Sequence, residues 1–378
     1  MHYLDNAATT RVSDAAADAA DRVLRQHFAN PSSLYRIGAL AEDVIETARE
    51  DVADSLGAKP SEIVFTGSGT EGDNMAIFGA CHARRAWADH IVVTGYEHPA
   101  VQNAVSALEK DGWRVSVIAP DETGHVDGAA IAAAVTGKTA LAAFMHVNNE
   151  VGTVLDVARI AAAVKQKNSR TAVHVDGVQA WGKVPLKLAG TAIDTYAVSG
   201  HKIHAPKGVG ALYIRSGFHM DKFLCGGAQE NGRRPGTQNT AFIAAMAAAI
   251  REMQADRTRA ARVDKLATML REELKALDFV TLNSPEDAAC GLVNFSVADI
   301  KSETMLHFLE SKEIYVSSGS ACSKGEASHT LTAMGLAKSR IDTAIRVSFS
   351  GENTEEDAAA LIAALKEGRA TLARIRRR

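Results

Sequence analysis

Between residues 60 and 215 the chain alternates short β-branched apolar runs with alanine-rich stretches, an order that few folds accommodate. The runs 62–66, 90–94, 114–118, 141–147, 172–176, 195–199 and 210–214 read as strands. Several are apolar on both faces, as strands are when helices cover each side of a sheet. The stretches 74–88, 100–110, 128–135 and 157–166 are long enough for helices. Parallel neighbours need a crossover of about a dozen residues or more, so this alternation implies a mainly parallel sheet with helices on both faces. After residue 237 the order changes. Residues 239–277 contain neither proline nor glycine and read as one long helix or two abutting ones. Strand 292–296, helix 302–310, strand 344–348 and helix 355–374 follow. The expected architecture is α/β, with a large unit over 16–250 and a smaller α+β unit built from 1–15 and 251–378.

Composition removes several functional classes. Forty-two Lys and Arg against forty-five Asp and Glu leave a net charge of −3, which offers no whole-molecule attraction to nucleic acid or an anionic membrane. No run approaches the roughly 18 to 20 apolar residues that cross a bilayer. Residues 1–10 lack the basic and apolar blocks of a secretory signal, so a cytoplasmic location is expected. The four cysteines (Cys81, Cys225, Cys290 and Cys322) form no CxxC pair, which speaks against a zinc knuckle or a disulfide framework, and no metal is expected. The basic end, 374–378, reads as a frayed helix terminus.

Four local patterns carry candidate chemistry. Gly67-Ser68-Gly69-Thr70-Glu71-Gly72 follows a strand and opens a helix, the setting in which backbone N–H groups bind a phosphate. The next strand runs into Thr94-Gly95-Tyr96-Glu97-His98 without a well-placed acid for a ribose, so phosphate binding fits better than a dinucleotide. Asp176, with Gln179 three residues on, closes a strand where α/β proteins face their ligands, although helix capping is the commoner role of such an Asp. Ser199-Gly200-His201-Lys202 sets a lysine between strand and loop beside hydroxyl and imidazole groups, as a Schiff-base site requires; most lysines are simply solvated. Ser317-Ser318-Gly319-Ser320-Ala321-Cys322-Ser323-Lys324-Gly325 surrounds a cysteine with small polar residues. A mobile loop with a thiolate favoured by Lys324 is expected there, rather than an inert core thiol.

In this order, and together with Tyr3-Leu4-Asp5-Asn6-Ala7-Ala8-Thr9-Thr10, Asn30-Pro31-Ser32-Ser33, Glu97-His98-Pro99-Ala100-Val101, Met145-His146-Val147-Asn148-Asn149-Glu150-Val151-Gly152, Arg234-Pro235-Gly236-Thr237 and Ile345-Arg346-Val347-Ser348, the chain resembles the cysteine desulfurases, fold type I pyridoxal-phosphate enzymes of aminotransferase class V. The resemblance implies pyridoxal 5′-phosphate as cofactor, with Lys202 as its Schiff-base partner. It places Asp176 at the ring nitrogen, Gln179 at the ring oxygen and His98 on the ring face, where it assists proton transfer. Gly69, Thr70, Ser199 and His201 would hold the phosphate, and Thr237 would reach the phosphate of the neighbouring subunit in a homodimer. Asn149 would serve both cofactor and substrate, and Arg346 would bind the substrate carboxylate. Cys322 would take sulfur from L-cysteine as a persulfide, release L-alanine and pass the sulfur to an acceptor protein for iron–sulfur cluster assembly or tRNA thiolation. A selenocysteine lyase, another class V enzyme or a non-catalytic scaffold that retains the cofactor are the rival readings. This sequence departs from the relatives' pattern at the glycines of 67–72, which could loosen the phosphate cup, and at Ala228, Tyr35 and His204-Ala205.

Overall fold

A computed structural model describes residues 1–318 and 327–372 of the chain. It opens with β1 (His2–Tyr3), α1 (Asp14–Gln26) and α2 (Arg36–Leu56). The alternating block is β2 (Ile63–Thr66), α3 (Gly69–His82), β3 (His90–Thr94), α4 (Pro99–Lys110), β4 (Arg114–Ile118), α5 (Gly128–Ala134), β5 (Thr139–Met145), α6 (Val157–Lys167), β6 (Ala172–Asp176), β7 (Thr195–Ser199) and β8 (Gly210–Ile214). Then come α7 (Thr240–Ala255), α8 (Arg259–Lys275), β9 (Val280–Leu282), β10 (Leu292–Val297), α9 (Ser302–Glu310) and β11 (Ile314–Tyr315). The chain closes with α10 (His329–Ala333), α11 (Lys338–Ile341), β12 (Ala344–Ser348) and α12 (Glu355–Thr371).

The central sheet runs in the order β2-β8-β7-β6-β5-β3-β4. Its pairs β3–β4, β3–β5, β5–β6 and β6–β7 are parallel, as the alternation requires, whereas β8 is antiparallel to β7 and β2. The reversal has a local cause. Only a 3₁₀ turn, Gly200–Lys202, lies between β7 and β8, with no helix to return the chain to the opposite edge. The last two residues of the expected strand 141–147 leave the sheet, because His146 and Val147 pair instead with Leu155 and Val154 in a turn. The helix expected over 74–88 instead starts at Gly69, where the Ser68 side chain accepts from the Glu71 N–H and supplies the cap. The uninterrupted stretch 239–277 is two helices. Between them the Asp256 carboxylate accepts from Thr258 N and from the Arg262 guanidinium, which stabilises the break.

Among the described residues, the two largest apolar clusters, with smaller ones beside them, lie under these elements. One joins sheet and helices through residues such as Ala16, Val92, Phe144, Val175, Tyr196 and Ile250. The other takes Leu4 from the start of the chain and packs it with Leu270, Phe295, Ile345 and Leu365. Ala7, Val147, Ala180, Cys290 and Leu292 pack together where the two approach. The first residues therefore belong structurally with the last: β1 pairs with β11, and Asp5 bridges Ser348. Residues 7–13, in turn, are tied to the turn after β7. Thr10 N donates to His201 O at 2.9 Å, and Ser13 N donates to His204 O at 2.9 Å. Among the described residues no helix is long and apolar enough to cross a membrane.

Candidate active site

Strands β2, β3, β5, β6 and β7 end along one edge of the sheet, and the residues just beyond them surround a cleft of about 200 Å³. This is the carboxyl edge at which open α/β sheets bind ligands. Gly69 and Thr70 follow β2, His98 follows β3, and Asn149 follows β5. Asp176 and Gln179 come from β6, and Ser199, His201 and Lys202 from β7; all of them line the cleft, with Arg346 of β12 joining from the other core. Thr237 is not among them. It is exposed and borders a separate depression with Gly67, Gly208 and Arg234. Cys322 lies outside the described residues, as do 374–378.

Asp176 is 5 % exposed, and its Oδ1 accepts from Val178 N at 2.9 Å. Burial pushes its pKa up, while His98, the Val178 N–H and Lys202 pull it back. His98 caps α4, its Nδ1 accepting from Ala100 N at 3.1 Å. That bond leaves the ring proton on Nε2, and burial, with Lys202 adding to it against the pull of Asp176, lowers the imidazole below its ordinary pKa. His201 falls to about 3, first through burial and then through Lys202 and Lys207, so it is neutral at pH 7. The Lys202 amine donates to the carbonyls of Ala7 and Ala8, the latter at 2.9 Å. The early segment 7–8 thus serves as the lysine's rest.

A second tier lies below. His174 Nε2 is 3.1 Å from Asp73 Oδ1, and its Nδ1 is 2.9 Å from Thr195 Oγ1. Burial, reinforced by Asp176 and Glu97, raises the Asp73 carboxyl well above its usual range, and burial lowers His174 to about 3. Burial thus disfavours the charged form of both partners. Glu97, pushed up to about 8 by burial, accepts from the Thr94 hydroxyl and from Met145 N. Three carboxyl groups share this region, and Asp176 is the one whose ionised form has nearby cations and an N–H to stabilise it.

On the opposite side Arg346 is 1 % exposed. Its Nη2 donates to Asp5 Oδ1 at 2.7 Å and its Nη1 to Asn149 O at 3.0 Å, while Nε is buried without a partner among the described residues. Asn149 thus meets Arg346 through its backbone. The backbones of Arg346 and Ser317 also bond each other in both directions, at 2.7 and 3.1 Å, so the chain passes this arginine shortly before the stretch that contains Cys322. Reading the residues alone does not find Asp5, the carbonyls of Ala7 and Ala8, or Asp73. The motif at residues 3–10 signals that its segment matters, but nothing in it says to what it bonds. The glycines of 67–72 do not simply loosen the cup: a Cβ on Gly69 would stand 2.4 Å from Val178 Cγ2, so the helix start and the turn after β6 pack directly together.

The aminotransferase class-V family profile matches residues 2–361. The chain is 41% identical over 358 residues to a cysteine desulfurase of Nostoc sp. strain PCC 7120, covering 93% of this chain and 89% of the relative. It is 38% identical to the cysteine desulfurase IscS of Methanosarcina thermophila, over 94% and 88% of the two chains. Among solved structures, a NifS-like protein superposes with a TM-score of 0.93 at 34% identity, covering 98% of this chain and 99% of that one. The structure described as SspA in complex with cysteine gives a TM-score of 0.81 at 30% identity over 94% and 100%. The family works with pyridoxal 5′-phosphate, and the cleft suits that group. The first-turn N–H groups of α3, with Ser199 and His201, suit a phosphate. Asp176 suits a protonated ring nitrogen, and Gln179 Nε2, buried without a partner among the described residues, suits a ring oxygen. The chain belongs to aminotransferase class V, a family of pyridoxal-phosphate enzymes.

Proposed function

We propose that the chain is a cysteine desulfurase that takes sulfur from L-cysteine as a persulfide on Cys322 and releases L-alanine. The observation that carries this reading is the meeting of Lys202, Asp176 and His98 in one cleft, with Arg346 across from them and Ser317 bonded to that arginine. The names of the relatives and the neighbour described with bound cysteine support the choice of substrate.

Bound pyridoxal phosphate supplies an electron sink for charge that develops at the substrate α-carbon. Asp176 would hold a proton at the ring nitrogen, Gln179 would donate to the ring oxygen and His98 would cover the ring face. Gly69, Thr70, Ser199 and His201 hold the phosphate. Lys202 would anchor the coenzyme and move a proton at Nζ, with His98 assisting through Nε2–H. Arg346, with Asn149, takes the substrate carboxylate through its fork of donors. The Cys322 thiolate then attacks the substrate sulfur. A sulfur–sulfur bond forms, the carbon–sulfur bond breaks, and the carbon takes up a proton to give alanine.

The same reading makes the protein a homodimer in which Thr237 completes the neighbouring subunit's phosphate site. Its exposure, and the exposed apolar side chains Leu24, Phe28, Leu34, Tyr35, Ile37 and Leu40, support a subunit contact. The two cores support a division into 16–250 and 1–15 with 251–378. A cytoplasmic setting fits Cys81, Cys225 and Cys290, which are all free. The persulfide sulfur would pass to an acceptor protein in iron–sulfur assembly or tRNA thiolation. The test is alanine formation from L-cysteine by the cofactor-loaded dimer. Cys322→Ala should abolish it, and undiminished turnover by that variant would overturn the reading.

A further inference from the structure

Gln179 sits in the run of turns after β6, 4 % exposed, with its side chain at the cleft. Its two amide atoms have different fates. Oε1 accepts from Lys183 Nζ at 2.9 Å, whereas Nε2 is buried with no acceptor among the described residues. The lysine belongs to a different cavity, one it borders with His204, Arg259 and Cys290 and not with the cleft itself. An ammonium has donors and no acceptor, so the amide oxygen must face Lys183 and the NH₂ must face the other way. Reversing the amide would set two donors against each other and point a carbonyl at whatever occupies the cleft. A ring oxygen that carries negative charge rewards the first arrangement and is repelled by the second.

We propose that Lys183 is a positioning residue: it locks the Gln179 amide so that Nε2–H, and not the carbonyl, is presented to the ring oxygen of the cofactor. The inference rests on the pyridoxal-phosphate reading of the cleft and assigns a part to a side chain that does not touch it. Burial lowers the Lys183 ammonium from its ordinary pKa, and Cys290 opposes that shift. A half-buried ammonium bonded to a neutral amide fixes which end of the amide faces it, because the ammonium can only donate.

The experiment is a double-mutant cycle on the protein loaded with pyridoxal 5′-phosphate, read at fixed pH by the position of the bound cofactor's absorbance band and by the cofactor dissociation constant. Lys183→Met should move the band and raise the dissociation constant about tenfold, the loss expected for one charge-assisted hydrogen bond. Lys183→Arg, which keeps the donors, should restore both. In a Gln179→Leu background Lys183→Met should add nothing, since its effect passes through that amide. If Lys183→Met does not fold, Lys183→Gln is read in the same two backgrounds with the same criteria. An unmoved band, or an equal loss in both backgrounds, overturns the proposal. A parent protein with no cofactor band at all would overturn the functional reading and this inference with it, whereas a band that only the lysine variants fail to shift overturns the inference alone.

Discussion

The two sides of the cleft are built differently. On the sheet side, Asp176, His98, Gln179 and Lys202 stand within a few residues of strand ends in one sheet, over a layer of buried groups whose charged forms burial disfavours. On the far side, Arg346 comes from β12 and is held by Asp5, 341 residues away, and by the carbonyl of Asn149, 197 residues away. Desolvation sets the electrostatics of the first side and leaves one carboxylate to hold charge. An ion pair between distant segments sets the second. The difference implies a division of labour: damage to the sheet side removes chemistry, and damage to the arginine side weakens substrate binding.

The largest effect should come from the sheet side. Lys202→Ala removes the anchoring amine and should lower alanine formation by several orders of magnitude, with the cofactor's characteristic band lost; a near-normal rate would show that the lysine is misplaced in this account. Arg346→Lys replaces a planar fork by a point charge. It should raise KM for L-cysteine about tenfold or more, with a smaller change in kcat. A fall in kcat alone would erase the proposed distinction between the two sides.

Acid should strike the sheet side first. His174 and His146, 0 and 3 % exposed, are lowered to about 3 and about 4 from 6.5, mainly by burial. Below pH 6.5 the unfolded chain takes up protons that these folded imidazoles refuse. Stability is therefore lost as pH falls from 6.5 toward 3, by at most about 3 to 5 kcal/mol for each. Urea unfolding at pH 7 and at pH 4.5 measures the slope, and His174→Gln should flatten it; an unchanged slope would contradict the assignment. Glu97→Gln should act at the opposite end of the pH scale. Glu97 keeps in the folded state a proton that the unfolded chain releases above about 4.5, so its stabilising share is full below that pH and is lost as pH rises through about 8. The variant should match the parent in stability near pH 5 and exceed it near pH 9, and a constant difference would remove Glu97 from the buried layer.

Much of the sheet side is legible in the sequence, because each of its residues lies next to the strand that positions it. Five strands, 90–94, 114–118, 172–176, 195–199 and 210–214, have the limits that β-branched runs suggest. Asp176 and Lys202 can then be placed by counting past strand ends. The helix start at Gly69 is hidden because glycines are poor helix formers, and a cap from Ser68 and packing against Val178 override that propensity. The arginine side is legible only through family resemblance. No local pattern pairs Asp5 with Arg346, and none shows that Ala7 and Ala8 lend their carbonyls to Lys202. Lys183 and Gln179 are close in sequence but lie in turns, where the spacing of four residues carries no helical meaning.

The central claim is that the amine of Lys202 and the thiol of Cys322 act on one substrate molecule. The most direct test is to incubate the cofactor-loaded protein with L-cysteine, without reductant or acceptor, and to determine by mass spectrometry which peptide has gained sulfur. One added sulfur atom on the peptide containing Cys322, absent from the Lys202→Ala protein, is the predicted result. Alanine produced with no sulfur on that peptide, or sulfur found there equally without Lys202, would contradict the account.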